Sequence, residues 1–293
     1  ARSAATLRAG AQLNVKSAKG VWGKTRVFPH MPQIKLRTPL LRNSPADCFG
    51  TISKKQLTQN ERTIMVVINV KIVSMSKDAY YDSKCGFVRC GDGVFTQVGN
   101  MCDYSPVHGE EVVDGKGLTL YPGFIDAHCH LGMWNDALCF EGEDGNEDTD
   151  PSTPHLRAID SVNPMDRCFE DAVNAGVTSV CTGVGSANPI GGSFIIMKTW
   201  GSKRVDKLIV KSPAAIKFAL GENPKNTYND RDETPVTRMA TAAIIREQLI
   251  KAKRYSEDIA EYERLKGTED EISRPDFDIK CEALLPLFDK EHP

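Results

Sequence analysis

Twelve residues constrain this chain more than any other stretch: Tyr121-Pro-Gly-Phe-Ile-Asp-Ala-His-Cys-His-Leu-Gly132. An apolar, strand-like run (Leu118, Leu120, Phe124, Ile125) ends in His128 and His130, one residue apart. Side chains alternate faces along a strand, so residues two apart point the same way. Both imidazoles therefore project from one face at the strand's end, a natural seat for a divalent metal such as zinc. Cys129 points to the opposite face and reads as a packing residue. A bare His-x-His is a weak signal. Its context here, with Pro122-Gly123 at the entry, Asp126 two residues before the first histidine and Gly132 behind, makes it stronger.

The 293 residues are 40% hydrophobic and 26% charged, the balance of a soluble globular protein of one or two domains. No apolar run approaches the ~20 residues of a membrane-spanning helix. Nine cysteines lie scattered without a Cys-x-x-Cys pair, which fits free, mostly buried thiols in a reducing compartment. The net charge of −2 hides an asymmetry: residues 1–60 hold eleven Lys/Arg and one acid, Asp47, so the remainder is strongly acidic. That basic, Ser/Thr/Ala/Pro-rich start fits an organellar transit peptide and equally an unstructured extension. Nucleic-acid binding competes, but no interleaved aromatics or recognition fold supports it.

From Ile64 onwards short strands are predicted at Met65–Val73, Gly86–Arg89, Gly93–Val98 and Glu111–Asp114, with a hairpin turn at Cys90-Gly-Asp-Gly93. After the histidines comes an acidic loop, Glu141 to Asp150. Asn163-Pro164 reads as an N-cap and first helical position, and the helix stops at Gly176. Val177–Thr182 follows as a buried strand, giving a parallel strand–helix–strand unit. Gly183–Gly192 is a second Gly-rich loop without a P-loop lysine, read as a tight connection lining a pocket. Phe194–Met197, Leu208–Val210 and Ala214–Leu220 are further strands. A long amphipathic helix spans 235–266, with Ile245, Leu249, Ala252, Ile259, Tyr262 and Leu265 on one face, and a short one runs from Ile279 to about Leu285.

The stretch Pro122-Gly-Phe-Ile-Asp-Ala-His-Cys-His-Leu-Gly132 resembles the first barrel strand of the amidohydrolase superfamily, in particular its imidazolonepropionase-like branch. The resemblance runs from about Ile64 to the end of the chain. It implies an α/β fold: about the first four strands of a TIM-like (β/α)8 barrel over 121–293. Part of a small β-sandwich precedes it over 64–120, behind a low-order basic extension over 1–63. It implies metal-dependent hydrolysis of C–N bonds in amides, cyclic amides or dipeptide-like compounds through a metal-activated water, with zinc the first choice. His128 and His130 match the strand-one ligands. Lys217, in Ala-Ala-Ile-Lys-Phe-Ala-Leu, matches a strand-four lysine that in some members bridges two metals, and Lys198 is its rival. Asp126 is expected to orient the strand or a ligand histidine from behind.

The family's further ligands, two histidines and a proton-accepting Asp on later strands, have no match. His155 sits in a loop at no ligand position, and His292 is terminal. The expectation is a C-terminally truncated amidohydrolase whose general-base Asp lies beyond the C-terminus and which is inactive alone. The alternative is a catalytically dead binding or assembly subunit. Glu141, Glu143 and Asp144 read as a solvated loop or as a selector for a basic substrate group. A small-molecule amide substrate is implied, no membrane or nucleic-acid partner is expected, and homo-oligomerisation stays open. A cytoplasmic location follows unless residues 1–60 are a transit peptide, which would make it organellar.

Overall fold

The computed structural model describes residues 64–77, 79, 81–135 and 139–288. The basic extension and His292 lie outside the described residues. The chain divides into two compact units, one ending at Tyr121 and one beginning at Pro122.

The first unit is one mixed sheet. Strands β1 (Ile64–Ile72), β2 (Ser83–Gly91), β3 (Val94–Asn100) and β4 (Glu111–Asp114) take the order β3-β2-β1-β4, and β5 (Thr119–Leu120) pairs with β1 beyond β4. β1 and β2 are antiparallel, whereas β4 and β5 run parallel to β1. The β2–β3 turn is Asp92-Gly93, with φ of 53° and 78°. Two positive φ values give the hairpin turn whose twist suits the flanking strands, and an Asp-Gly pair tolerates them. Val67, Val70, Ile72 and Val88 form the buried cluster. Beside it Arg89 and Glu110 make an ion pair of 2.8 Å with side chains 10% and 2% exposed. Arg89 also bonds Gln97 and the Ser105 carbonyl, so the buried guanidinium is well satisfied.

The second unit holds a four-stranded sheet in sequence order: β6 (Phe124–Cys129), β7 (Val177–Thr182), β8 (Ile190–Lys198) and β9 (Ile209–Phe218). Helix α1 (Arg167–Asn174) connects β6 to β7, and these two strands are parallel, as the strand–helix–strand pattern predicts. The remaining pairs are antiparallel. The sheet therefore holds one parallel βαβ unit extended by an antiparallel meander, where four parallel strands were expected. The physical reason is connection length: only about ten residues separate β8 from β9, and a parallel return needs a dozen or more.

Other boundaries move by local chemistry. Helix α1 starts at Arg167, not after Asn163, because Asp166 Oδ1 accepts from the Cys168 N–H at 3.1 Å and is the true cap, while Asn163 closes a turn through Met165 N–H. Gly176, at φ 86°, ends it as predicted. β8 begins at Ile190, so Gly191 and Gly192 are strand residues rather than loop. Leu208–Val210 and Ala214–Leu220 belong largely to the single strand β9. Three further helices follow: α2 (Glu222–Asn229), α3 (Arg238–Leu265) and α4 (Ile279–Leu284). The long helix presents the predicted apolar face, and its Ala252 and Tyr255 pack with Cys281 and Leu284 of α4. The main core lies between sheet and α1, where Met133, Ala158, Val162, Phe169, Val180, Ile195, Met197 and Leu208 are buried.

Candidate metal centre

The two histidines sit where β6 ends, and the strand is not regular there. Asp126 pairs with Val180 but Cys129 pairs with Thr182, so three residue steps on β6 face two on β7. This bulge takes a backbone N–H out of the ladder. Asp126 satisfies it: its Oδ1 accepts from the His128 N–H at 3.1 Å. Asp126 thus acts on the main chain of the strand rather than on an imidazole ring. Behind the bulge Thr182 Oγ1 donates to the Leu131 carbonyl at 2.8 Å, and Gly132 turns the chain at φ 82°.

The imidazoles of His128 and His130 lie edge to face with centroids 5.1 Å apart. Phe194 of β8 forms the wall under them, stacked on His128 at 5.4 Å and edge-on to His130 at 6.2 Å. Trp134 closes the other side of His130 at 5.5 Å. His130 Nδ1 bonds the Gly183 carbonyl at 2.8 Å. A carbonyl only accepts, so the proton sits on Nδ1, and Nε2 is left with its lone pair. That is the arrangement of a metal-ligating histidine, whose second nitrogen is tied to a carbonyl or carboxylate.

Lys217 of β9 completes the group. Its Nζ lies 5.9 Å from the Phe194 centroid, on the ring that also carries His128. Burial holds its ammonium below the ordinary lysine value. Desolvation first, then the charges of Lys217 and His130, push His128 below the ordinary histidine value, against the opposing pull of Asp126. Both shifts favour the uncharged, ligating forms. Lys198, the rival lysine, lies at the far end of β8 and donates to Ser179 Oγ at 3.0 Å. Among the described residues no group of three or more His, Cys, Asp or Glu side chains is placed to hold a metal. Two imidazoles and one amine are what this end of the sheet offers.

The acidic loop is less free than a solvated loop. Arg231 pairs with Asp148, and Lys280 Nζ meets Asp150 Oδ2 at 2.5 Å. Glu141, Glu143 and Asp144 have no ion-pair partner among the described residues. His155 is half-buried, and its Nδ1 is enclosed with no hydrogen-bond partner, as is Ser152 Oγ. Their strap runs beside β8, with Thr153 N–H on the Ile190 carbonyl and Ser193 N–H on the Leu156 carbonyl. No spacing rule marks these residues, because the strap is ordered by contacts far away in sequence. The cysteines also differ from expectation. Of the eight described, none is in a disulfide and only Cys281 is fully buried, while Cys129 does pack on the core.

This is an α/β unit with paired imidazoles at a strand's C-terminal end. No protein-family model matches the chain. An amidohydrolase of Hapsidospora irregularis, tasK, is 31% identical over 165 residues, which cover 53% of this chain and 17% of that protein. An imidazolonepropionase of Phocaeicola vulgatus is 45% identical over 47 residues, 16% of this chain and 11% of that one. The crystal structure of an amidohydrolase from Thermotoga maritima superposes with a TM-score of 0.67 at 37% identity, over 78% of this chain and 56% of that one. Over these stretches the chain is similar to amidohydrolases. It spans less than a fifth of the curated relatives' length and just over half of the solved one.

Proposed function

We propose that this chain supplies part of the metal centre of a hydrolase that cleaves C–N bonds in small amides, cyclic amides or dipeptide-like compounds. The observation that carries this reading is His130, held by Gly183 with its Nε2 free, beside His128 on the Phe194 wall. His128 and His130 would hold a divalent metal, zinc first, with Lys217 as a third ligand. The donor set fits: two imidazoles and a partly desolvated amine, with His128 and Lys217 biased toward their neutral forms. A metal there supplies Lewis acidity, which polarises a carbonyl and makes water nucleophilic near neutral pH. The chain's own residues do the rest. The Gly183 carbonyl fixes the His130 tautomer, Asp126 holds the bulged backbone, and Phe194 and Trp134 pack against the rings.

In this reading β6 and β7, with α1 between them, belong to a (β/α)8 barrel, the antiparallel β8 and β9 extend that sheet, and the first unit is part of a β-sandwich. The parallel β6–α1–β7 unit and the likeness to the Thermotoga protein support it. Two or three protein ligands bind zinc more weakly than a full set, and no general-base Asp is matched, so these residues alone are expected to be inactive.

The test is zinc content and affinity of the chain against His128→Ala, His130→Ala and the double variant. Stoichiometric zinc in wild type, lost in the double variant, is expected. Equal zinc in wild type and double variant overturns the assignment, and a wild type that holds none leaves a binding or assembly subunit as the better reading.

A further inference from the structure

One asparagine stitches together the two loops that crown this end of the sheet. Asn188, 5% exposed, follows β7 in the loop that starts at Gly183. Its Nδ2 donates to the Glu147 carbonyl at 2.5 Å and to Thr153 Oγ1 at 2.9 Å. Its Oδ1 accepts from the Tyr228 hydroxyl at 2.7 Å. Tyr228, on α2, is completely buried, and burial raises its phenol above the ordinary value, so it remains a donor. An amide with both ends committed in the interior cannot flip without leaving buried polar groups unpaired.

The same loop is tied down along its length. Gly185 N–H donates to the Gly145 carbonyl at 2.7 Å, and Ala187 N–H to Asn146 Oδ1 at 3.2 Å. Its first residue, Gly183, offers the carbonyl that His130 Nδ1 uses. We propose that Asn188 and Tyr228 form a positioning pair for His130: they fix the loop whose Gly183 carbonyl selects the Nδ1–H tautomer and aims Nε2 into the site. Neither residue touches the imidazole, and they act through the loop alone. The value of the pair to the protein rests on His130 being a metal ligand, but its effect on the ring does not.

Tyr228→Phe deletes the donor and keeps the ring. Tyr255→Phe is the control, since it deletes a comparable phenol bond, to Glu282 at 2.7 Å, on the α3–α4 contact. Ring nitrogen shifts of labelled His130 are recorded in metal-free protein at about pH 8, where an ordinary imidazole is neutral. Zinc affinity is measured in parallel. Wild type and Tyr255→Phe are expected to show the Nδ1–H tautomer. Tyr228→Phe should show a mixture and bind zinc on the order of tenfold more weakly, the scale of other indirect supports of metal ligands. Should Tyr228→Phe not fold, Thr153→Val removes another partner of Asn188 and is read the same way. Wild-type tautomer populations in the folded variant overturn the proposal, as does an equal shift in Tyr255→Phe. Absence of zinc binding by wild type would remove the metal reading, and the tautomer result would still decide the positioning claim.

Discussion

The imidazole of His128 lies on the ring of Phe194, centroids 5.4 Å apart and planes 21° apart. The same ring is 3% exposed and presses on Gly183, so one side chain supports both histidines and the carbonyl that orients one of them. Phe194→Ala is expected to cost about 3–5 kcal/mol, as for other buried aromatics. Urea unfolding checks it. A loss below about 1 kcal/mol would show that the site does not depend on this wall.

Gly132 turns the chain directly behind the histidines at φ 82°, and a Cβ there would stand 2.8 Å from the Phe169 ring and 3.1 Å from Val162. Both backbone and space oppose a side chain. Gly132→Ala should destabilise by roughly 2 kcal/mol or more, combining left-handed strain with overpacking. A thermal midpoint equal to wild type would contradict the turn geometry.

The first unit should be acid-sensitive through one pair. The hydrogen bond from Arg89, chiefly, lowers Glu110 from an ordinary 4.5 to about 2. A depressed carboxylate stabilises the fold fully above its unfolded value and loses that contribution as pH falls through the folded one. The window is therefore about pH 4.5 down to 2. Unfolding free energy measured across it should fall more steeply in wild type than in Glu110→Gln. Parallel slopes would show that the pair carries no proton linkage.

The Asp150–Lys280 pair is a different kind of contact, with side chains 43% and 30% exposed. Partly exposed pairs contribute little to global stability, so Lys280→Met should change it by under about 1 kcal/mol. Its local effect should be larger, because Asp150 Oδ1 also holds the Ser152 N–H at 2.8 Å. Hydrogen exchange at Ser152 is expected to speed up in the variant while the β7 amides keep their protection. Unchanged exchange at Ser152 would mean that the loop is held by the Asn188 bonds alone.

The site's two histidines were legible because strand alternation is a short-range rule and the flanking Gly and Pro mark where the strand starts and turns. The bulge that aims them was not, since it depends on register with β7; of the two roles expected of Asp126, holding the strand and holding a ring, its bond to the His128 N–H is the first. Lys217 was found by resemblance, and its neighbourhood with His128 is made by the pairing of β9 with β8. The meander was misread as parallel because apolar runs such as Phe194–Met197 carry no direction. Asn188, Tyr228 and His155 gave no local signal, as their partners stand about 40 residues away or are undefined.

Lys280 closes on Asp150 from 130 residues further along the chain. During synthesis, β6 and its histidines leave the ribosome well before α4 exists to hold the loop beside them. At ~5–20 residues per second that interval lasts on the order of ten seconds. The sheet that carries the histidines can assemble in that time, but the clasp on their neighbouring loop is among the last contacts of this unit to form.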